Sequence, residues 1–156
     1  MAAKDTIERG LDAFNRHDSA AFAGNFTENA VAHDPFQPEP LRGRAAVQKD
    51  IQEFFDAFPD IRGEIIALLT TDDSYAADIM MSGTHKGPLA GPAGDIPATN
   101  KSVKVGIAIL GRVDAGGQIT EERRYLDTLG LMGQLGLMPG PGAAGGSADL
   151  PGSMLT

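Results

Sequence analysis

Three short stretches place ionisable side chains where apolar runs end. Tyr125-Leu126-Asp127 closes the last strand-like run, His33-Asp34-Pro35 stops an early one, and Gly83-Thr84-His85-Lys86-Gly87 stops another. The chain has only three histidines, so two of them at such ends, with carboxylates nearby in the pattern, point to a pocket that moves protons. Each stretch also has a plainer reading. Asp127 fits the N-cap of a helix beginning near Leu129. Asp-Pro is a common turn starter, and His85 fits a polar residue at a loop mouth. His33 and Asp34 fall on opposite faces of a continuing strand, so only one enters a pocket unless a bulge re-aims the other. Simple alternation sets Tyr125 and Asp127 on one face with Ile119, while His85 continues the set Ala77, Ile79 and Met81.

The elements that must carry these groups follow from periodicity. Ile7, Leu11 and Phe14 at helical spacing predict a helix over 4–16, and Asp18-Ser19 predicts a cap on a second, short one carrying Phe22. A strand over 30–33 is stopped by Asp34-Pro35. Val47, Ile51, Phe54, Phe55 and Phe58 predict an amphipathic helix over 43–58, ended by Pro59. Four strands follow over 62–70, 75–84, 101–113 and 118–127, the last two joined by the hairpin signal Asp114-Ala115-Gly116-Gly117. Residues 86–100, with prolines and several glycines, read as a loop and a candidate pocket lid. Helices first and then a run of antiparallel strands indicate α+β. One domain spans 1–138, and 139–156, rich in Pro, Gly, Ala and Ser, reads as a flexible tail.

Composition removes several classes of function. With 156 residues and 42% hydrophobic content the chain builds a real core. A formal net charge of −8 argues against a nucleic-acid backbone as partner. No apolar run spans a bilayer, so no membrane partner is expected. The absence of cysteine excludes disulfides and thiolate chemistry, and with a charged N-terminus it accords with a cytoplasmic protein. His17, His33 and His85 lack metal-ligand spacing, no serine sits in a nucleophile elbow, and the glycine-rich run 140–146 does not follow a strand. Neither metal nor cofactor is expected.

His33-Asp34-Pro35, the approach to the long helix at Pro40-Leu41-Arg42-Gly43-Arg44, Ala57-Phe58-Pro59-Asp60, Gly83-Thr84-His85-Lys86-Gly87, and Tyr125-Leu126-Asp127 before Gln134-Leu135-Gly136 together carry a resemblance. The chain resembles the SnoaL-like polyketide cyclases, within the superfamily shaped like nuclear transport factor 2 and ketosteroid isomerase. The resemblance covers most of 5–139. It implies a curved antiparallel sheet wrapped by N-terminal helices into a cone with an apolar cavity. It also implies that Asp127, matching the last-strand aspartate of the cyclases, is the acid/base residue. Two positions depart from the cyclases: Arg123 stands where a tryptophan is frequent, and 101–113 holds no histidine. Asp34-Pro35 aligns with the general base of ketosteroid isomerase, but that enzyme's oxyanion donors fall near Gly10 and Ile109, which argues against steroid isomerisation.

The resulting expectation is a cofactor-free, acid/base intramolecular aldol cyclisation of a small apolar carbonyl compound. Asp127 takes the α-proton, His33 or His85 polarises the carbonyl, and Asp34 is the reserve carboxylate. Tyr125, Phe36, Phe54, Phe58 and Met81 are the candidate substrate-binding side chains. Two alternatives stay open. One is a non-catalytic binding or oligomerisation module. The other is hydrolytic epoxide opening, for which Asp78 and Arg123 would serve. Alternating apolar residues over 103–110 load both faces of that strand, so a homodimer is expected.

Overall fold

The helices begin and end where local chemistry dictates. In the computed structural model, which describes residues 2–138 except 92, α1 spans Ala2–Asn15 and buries Ala3, Ile7 and Phe14. The 139–156 tail therefore lies outside the described residues. Asp18 caps α2 (Ser19–Gly24), its carboxylate accepting the Ala21 N–H at 2.9 Å. After β1 (Phe26–His33) and the short β2 (Leu41–Arg42), Gly43 turns the chain at φ 93° into α3 (Arg44–Ala57). Few L-residues adopt that φ, so the glycine is required there. Helix α3 buries Val47, Ile51, Phe55 and Ala57 and stops at Phe58, immediately before Pro59. Phe54, expected in the core, is only half-buried and forms part of a cavity wall instead.

The remaining elements are β3 (Arg62–Thr70), β4 (Ser74–Thr84), β5 (Ser102–Val113), β6 (Ile119–Leu126) and α4 (Thr128–Gln134). They match the sequence-based boundaries to within one or two residues, while β2 carried too little pattern to be seen. The strands form a single sheet in the order β2-β1-β6-β5-β4-β3. It is an open curved sheet, and the helices cover its inner side, as an α+β cone requires. Strands β3 to β6 are antiparallel, as expected. The β1–β6 pairing, however, is parallel, so the sheet is mixed rather than wholly antiparallel. The physical reason is that β1 and β6 lie far apart in sequence, and no tight turn dictates their relative direction.

One irregularity decides which side chains face inward. Arg112 pairs with Glu121 but the next residue, Val113, pairs with Ile119, so Thr120 is an extra residue in β6. Such a bulge reverses the alternation beyond it. Ile119, Glu122, Arg124 and Leu126 consequently face the inner side, whereas Glu121, Arg123 and Tyr125 face outward. Tyr125 is 56% exposed. The simple alternation that put Tyr125 and Asp127 beside Ile119 is therefore corrected.

The loop 86–100 is packed down on α3. Lys86 and Gly87 N–H groups both donate to the Ala57 carbonyl, Leu89 and Ile96 form a bridge, and Leu89 is buried.

Candidate active site

Between the helices and the inner face of the sheet lies a cavity of about 150 Å³. Its walls are apolar. Phe14, Phe22, Phe26, Phe54 and Phe58 supply one side, and Ile79, Met81, Val105, Ile107 and Ile109 the other. Phe36 lines it from the β1–β2 connection, and Leu89 and Ala90 from the packed loop. Of the candidate substrate-binding residues, the structure thus brings Phe36, Phe54, Phe58 and Met81 to the cavity and leaves Tyr125 outside.

The polar part of the lining is concentrated around Arg124. This side chain is 8% exposed and its Nη1 donates to two carboxylates, Asp34 Oδ2 at 3.2 Å and Asp50 Oδ2 at 3.1 Å. Its Nε donates to Glu122 Oε2 at 2.9 Å, and Tyr75 donates its hydroxyl to the other Glu122 oxygen at 2.6 Å. Asp50 accepts a further bond from Gln37 Nε2 at 3.1 Å. Arg124 Nη2 is buried and meets no acceptor among the described residues. A buried guanidinium N–H without a partner is costly, and a ligand oxygen is the group that would relieve it.

Asp34 both makes the turn and faces the cavity's charged cluster. Its Oδ1 accepts the Phe36 N–H at 2.9 Å, which is the turn, while Oδ2 faces Arg124. Asp50 was not found from the sequence. The available signal was its place on α3, three residues after Val47 and four before Phe54, which puts a carboxylate beside the apolar stripe. Arg124 and Glu122 were hidden by the bulge.

Charge balance governs the protons here. Three carboxylates face one guanidinium, so full ionisation leaves excess negative charge in a poorly solvated place. Burial pushes Asp50 above its ordinary range, Arg124 pulls it back, and the neighbouring Asp34 pushes it up again; the net direction is up. Burial works against the charge on Arg124, but Glu122, Asp50 and Asp34 outweigh it and hold the guanidinium charged. The cluster therefore sets Asp50, whose ionisation burial disfavours, on the same guanidinium nitrogen as a second carboxylate, Asp34.

The other proposed catalytic groups lie elsewhere. Asp127 is an exposed N-cap of α4, accepting the Gly130 N–H at 2.8 Å, and it does not line the cavity. Its candidacy as the acid/base is corrected by that placement: the strand ends one residue earlier, and the helix amides claim the carboxylate. Asn caps equally well, so Asp127→Asn is expected to shift stability by only a few tenths of a kcal/mol and leave turnover unchanged. Chemical denaturation and a rate measurement check this, and a drop in turnover of tenfold or more would return Asp127 to the mechanism. His33 lies on the outer side near Glu121, at 3.8 Å, and is likewise separate from the cavity. His85 is fully buried but stands behind Phe58, stacked at 5.3 Å. Its Nδ1 accepts the Thr99 N–H at 3.2 Å, so Nε2 carries the proton. Burial lowers its pKa, partly offset by the Gly87 backbone. Its role in the structure is to tie down the base of the 86–100 loop. Asp78 and Arg123, weighed for epoxide opening, are exposed on the outer face. Among the described residues no cluster of His, Cys, Asp and Glu is arranged to hold a metal ion.

An open curved sheet, helices over its inner face and an apolar cavity with a charged patch define a pocket protein of the nuclear transport factor 2-like, ketosteroid isomerase-like class. The family model for SnoaL-like polyketide cyclases matches residues 4–135, and the chain belongs to that family. Comparison with curated proteins gives no match. Among solved structures, the chain is similar to TsrD from Streptomyces laurentii, with 22% identity and a TM-score of 0.75 over 88% of this chain and 96% of that one. It is also similar to IdmH from Streptomyces antibioticus, a candidate polyketide cyclase, with 25% identity and a TM-score of 0.71 over 86% and 98%. SalBIII, an epoxide hydrolase/cyclase-like enzyme of pyran ring formation in polyether salinomycin, shares 21% identity with a TM-score of 0.66 over 81% and 92%. No helix among the described residues is long and apolar enough to cross a membrane.

Proposed function

We propose that this member of the family is a cofactor-free acid/base enzyme that closes a ring in a neutral, apolar carbonyl substrate by intramolecular aldol addition. The observation that carries the reading is the pair Asp34 and Asp50 on one nitrogen of Arg124, beside an uncommitted Nη2, in an otherwise apolar cavity. Asp34 accepts the α-proton of the substrate. The enolate oxygen receives the hydrogen bond from Arg124 Nη2, which is worth most in a dry site. The enolate carbon then forms the new C–C bond to a second carbonyl, and Asp50 gives its proton to the resulting alkoxide. Substrate and product have the same mass, and the proton gained by Asp34 replaces the one lost by Asp50 at the next turnover. Confinement by the phenylalanine walls supplies the reactive fold of the chain. The test is incubation with a panel of polyketide-like methyl esters, followed by mass spectrometry and NMR. A cyclised, isobaric product formed faster than in buffer is expected; no acceleration across the panel would remove the reading.

A second reading is favoured by the same pair. Asp50 could protonate an epoxide oxygen while Asp34 activates a water or an internal hydroxyl, and the likeness to SalBIII supports including it. Adding epoxides to the panel separates the two: opening by water adds the mass of water, and opening by an internal hydroxyl gives an isobaric cyclic ether that NMR distinguishes from an aldol product. In this reading Asp34, Asp50 and Arg124 replace Asp78 and Arg123.

The functional unit we propose is a dimer of two copies. Register places Leu69, Ala76, Leu110 and Arg123 in one row across the outer face, with Ala67, Asp78, Ala108 and Tyr125 in the next. Leu69 is 74% and Leu110 45% exposed, and small residues between them leave a flat, apolar surface. Sedimentation at micromolar concentration is expected to show a dimer, and Leu110→Asp to give a monomer with an unchanged fold. A monomeric parent chain would end this proposal.

A further inference from the structure

We infer that Tyr75 and Glu122 are positioning residues, a brace across three strands that fixes which guanidinium nitrogen of Arg124 is left for the substrate. Its functional meaning rests on the acid/base reading above, whereas its geometry stands apart from it. Tyr75, Gly111 and Glu122 occupy successive register positions on β4, β5 and β6. A Cβ on Gly111 would lie 2.3 Å from the Tyr75 ring and hydroxyl and 2.7 Å from the Glu121 carbonyl oxygen. The phenol therefore crosses β5 only because that position has no side chain. It reaches Glu122 at 2.6 Å, and Glu122 in turn holds Arg124 Nε at 2.9 Å.

Each oxygen of Glu122 is thus committed to a different partner, and rotating the carboxylate breaks a buried bond on at least one side. Fixing Nε fixes the plane of the guanidinium, whose donors form a rigid fork. With Nη1 directed at Asp34 and Asp50, the fork leaves Nη2 uncommitted. Rotation about the Nε–Cζ bond keeps the hold of Glu122 on Nε but breaks the contacts of Nη1 to Asp34 and Asp50, so the carboxylate pair and the brace together set the fork. Burial and then the Glu122 charge hold Tyr75 well above the usual phenol range, so its hydroxyl stays a donor. The brace makes no contact with the substrate in this account. It acts through Arg124.

The experiment is side-chain NMR of the full chain labelled with 15N-arginine, paired with kinetics on whichever substrate the panel identifies. In the parent chain, Arg124 is expected to give a slowly exchanging Nε–H and separate Nη1 and Nη2 signals. Tyr75→Phe should preserve the backbone amide spectrum, speed exchange of the Arg124 Nε–H, and lower kcat by roughly 10–100-fold with KM little changed. If that variant does not fold, Glu122→Gln provides the same reading, since the charged hold on Nε is removed. A fast-exchanging Nε–H in the parent chain overturns the brace, as do a slowly exchanging Nε–H and normal kcat in the variants. The expected NMR behaviour with no turnover on any substrate sinks the acid/base reading and leaves the brace standing.

Discussion

Asp50→Asn is expected to reduce turnover by roughly 10²–10⁴-fold while leaving the fold and the cavity in place. An amide keeps the shape and can still accept from Arg124, yet it cannot deliver a proton to an alkoxide or an epoxide oxygen. The pH profile should change with it. In the proposed mechanism Asp50 is the acid; burial raises its pKa, Arg124 pulls it back and Asp34 raises it again, for a net shift upward. Activity of the parent enzyme must therefore fall as pH rises through that elevated pKa, and the variant's residual activity should lack this alkaline limb. Stability gives an independent sign. A carboxyl whose folded pKa lies above its unfolded value of 3.8 contributes stability at low pH that disappears as pH rises through the folded pKa. Asparagine has no such loss, so the variant should gain on the parent in urea denaturation as pH increases above that range. A variant with parental turnover would remove Asp50 from the chemistry.

Arg124→Met should be among the most destabilising single substitutions in the protein. It leaves Glu122, Asp34 and Asp50 facing one another with no cation, and a broken buried ion network typically costs about 3–5 kcal/mol. Asp50, already raised by burial and by Asp34, loses the pull of Arg124 that lowers it, so its folded pKa rises further above the unfolded one. Linkage then requires the variant to recover part of its stability as pH is lowered. Urea denaturation at pH 7.5 and pH 5 reads both effects. A loss below about 1 kcal/mol, or one independent of pH, would show that the cluster is more solvated than its burial indicates.

How much of this could be seen in the sequence depended on whether a residue obeyed local alternation. The long helix was legible because Val47, Ile51, Phe55 and Phe58 repeat at helical spacing, and the capping by Asp18 because aspartate before a short apolar run is a local signal. Asp34 was legible for a similar reason, since Asp-Pro at a strand end marks where the chain stops and exposes a carboxylate. Arg124 and Glu122 were not, because a single extra residue at Thr120 inverts the face of everything after it, and nothing in Ile119-Thr120-Glu121 announces a bulge. The same inversion made Asp127 look like an inward group. Asp50 was overlooked because charges on an amphipathic helix are ordinarily read as its solvated side. His85 shows the converse: alternation correctly predicts that it is buried, but burial here serves a loop and not the cavity. The parallel pairing of β1 with β6 depends on contacts distant in sequence, which periodicity cannot reach.

That pairing also has a consequence for how the protein is made. Strand β6 is the last of the described strands to leave the ribosome, yet in the sheet it lies between β1 and β5. Until it arrives, two strands present unpaired edges to each other across an empty slot, the arrangement most open to association between nascent chains. Arg124 travels on β6 and meets Asp34 and Asp50 across sequence gaps of 90 and 74 residues. Closing the sheet and assembling the cluster of Arg124 with Asp34 and Asp50 are therefore a single late event.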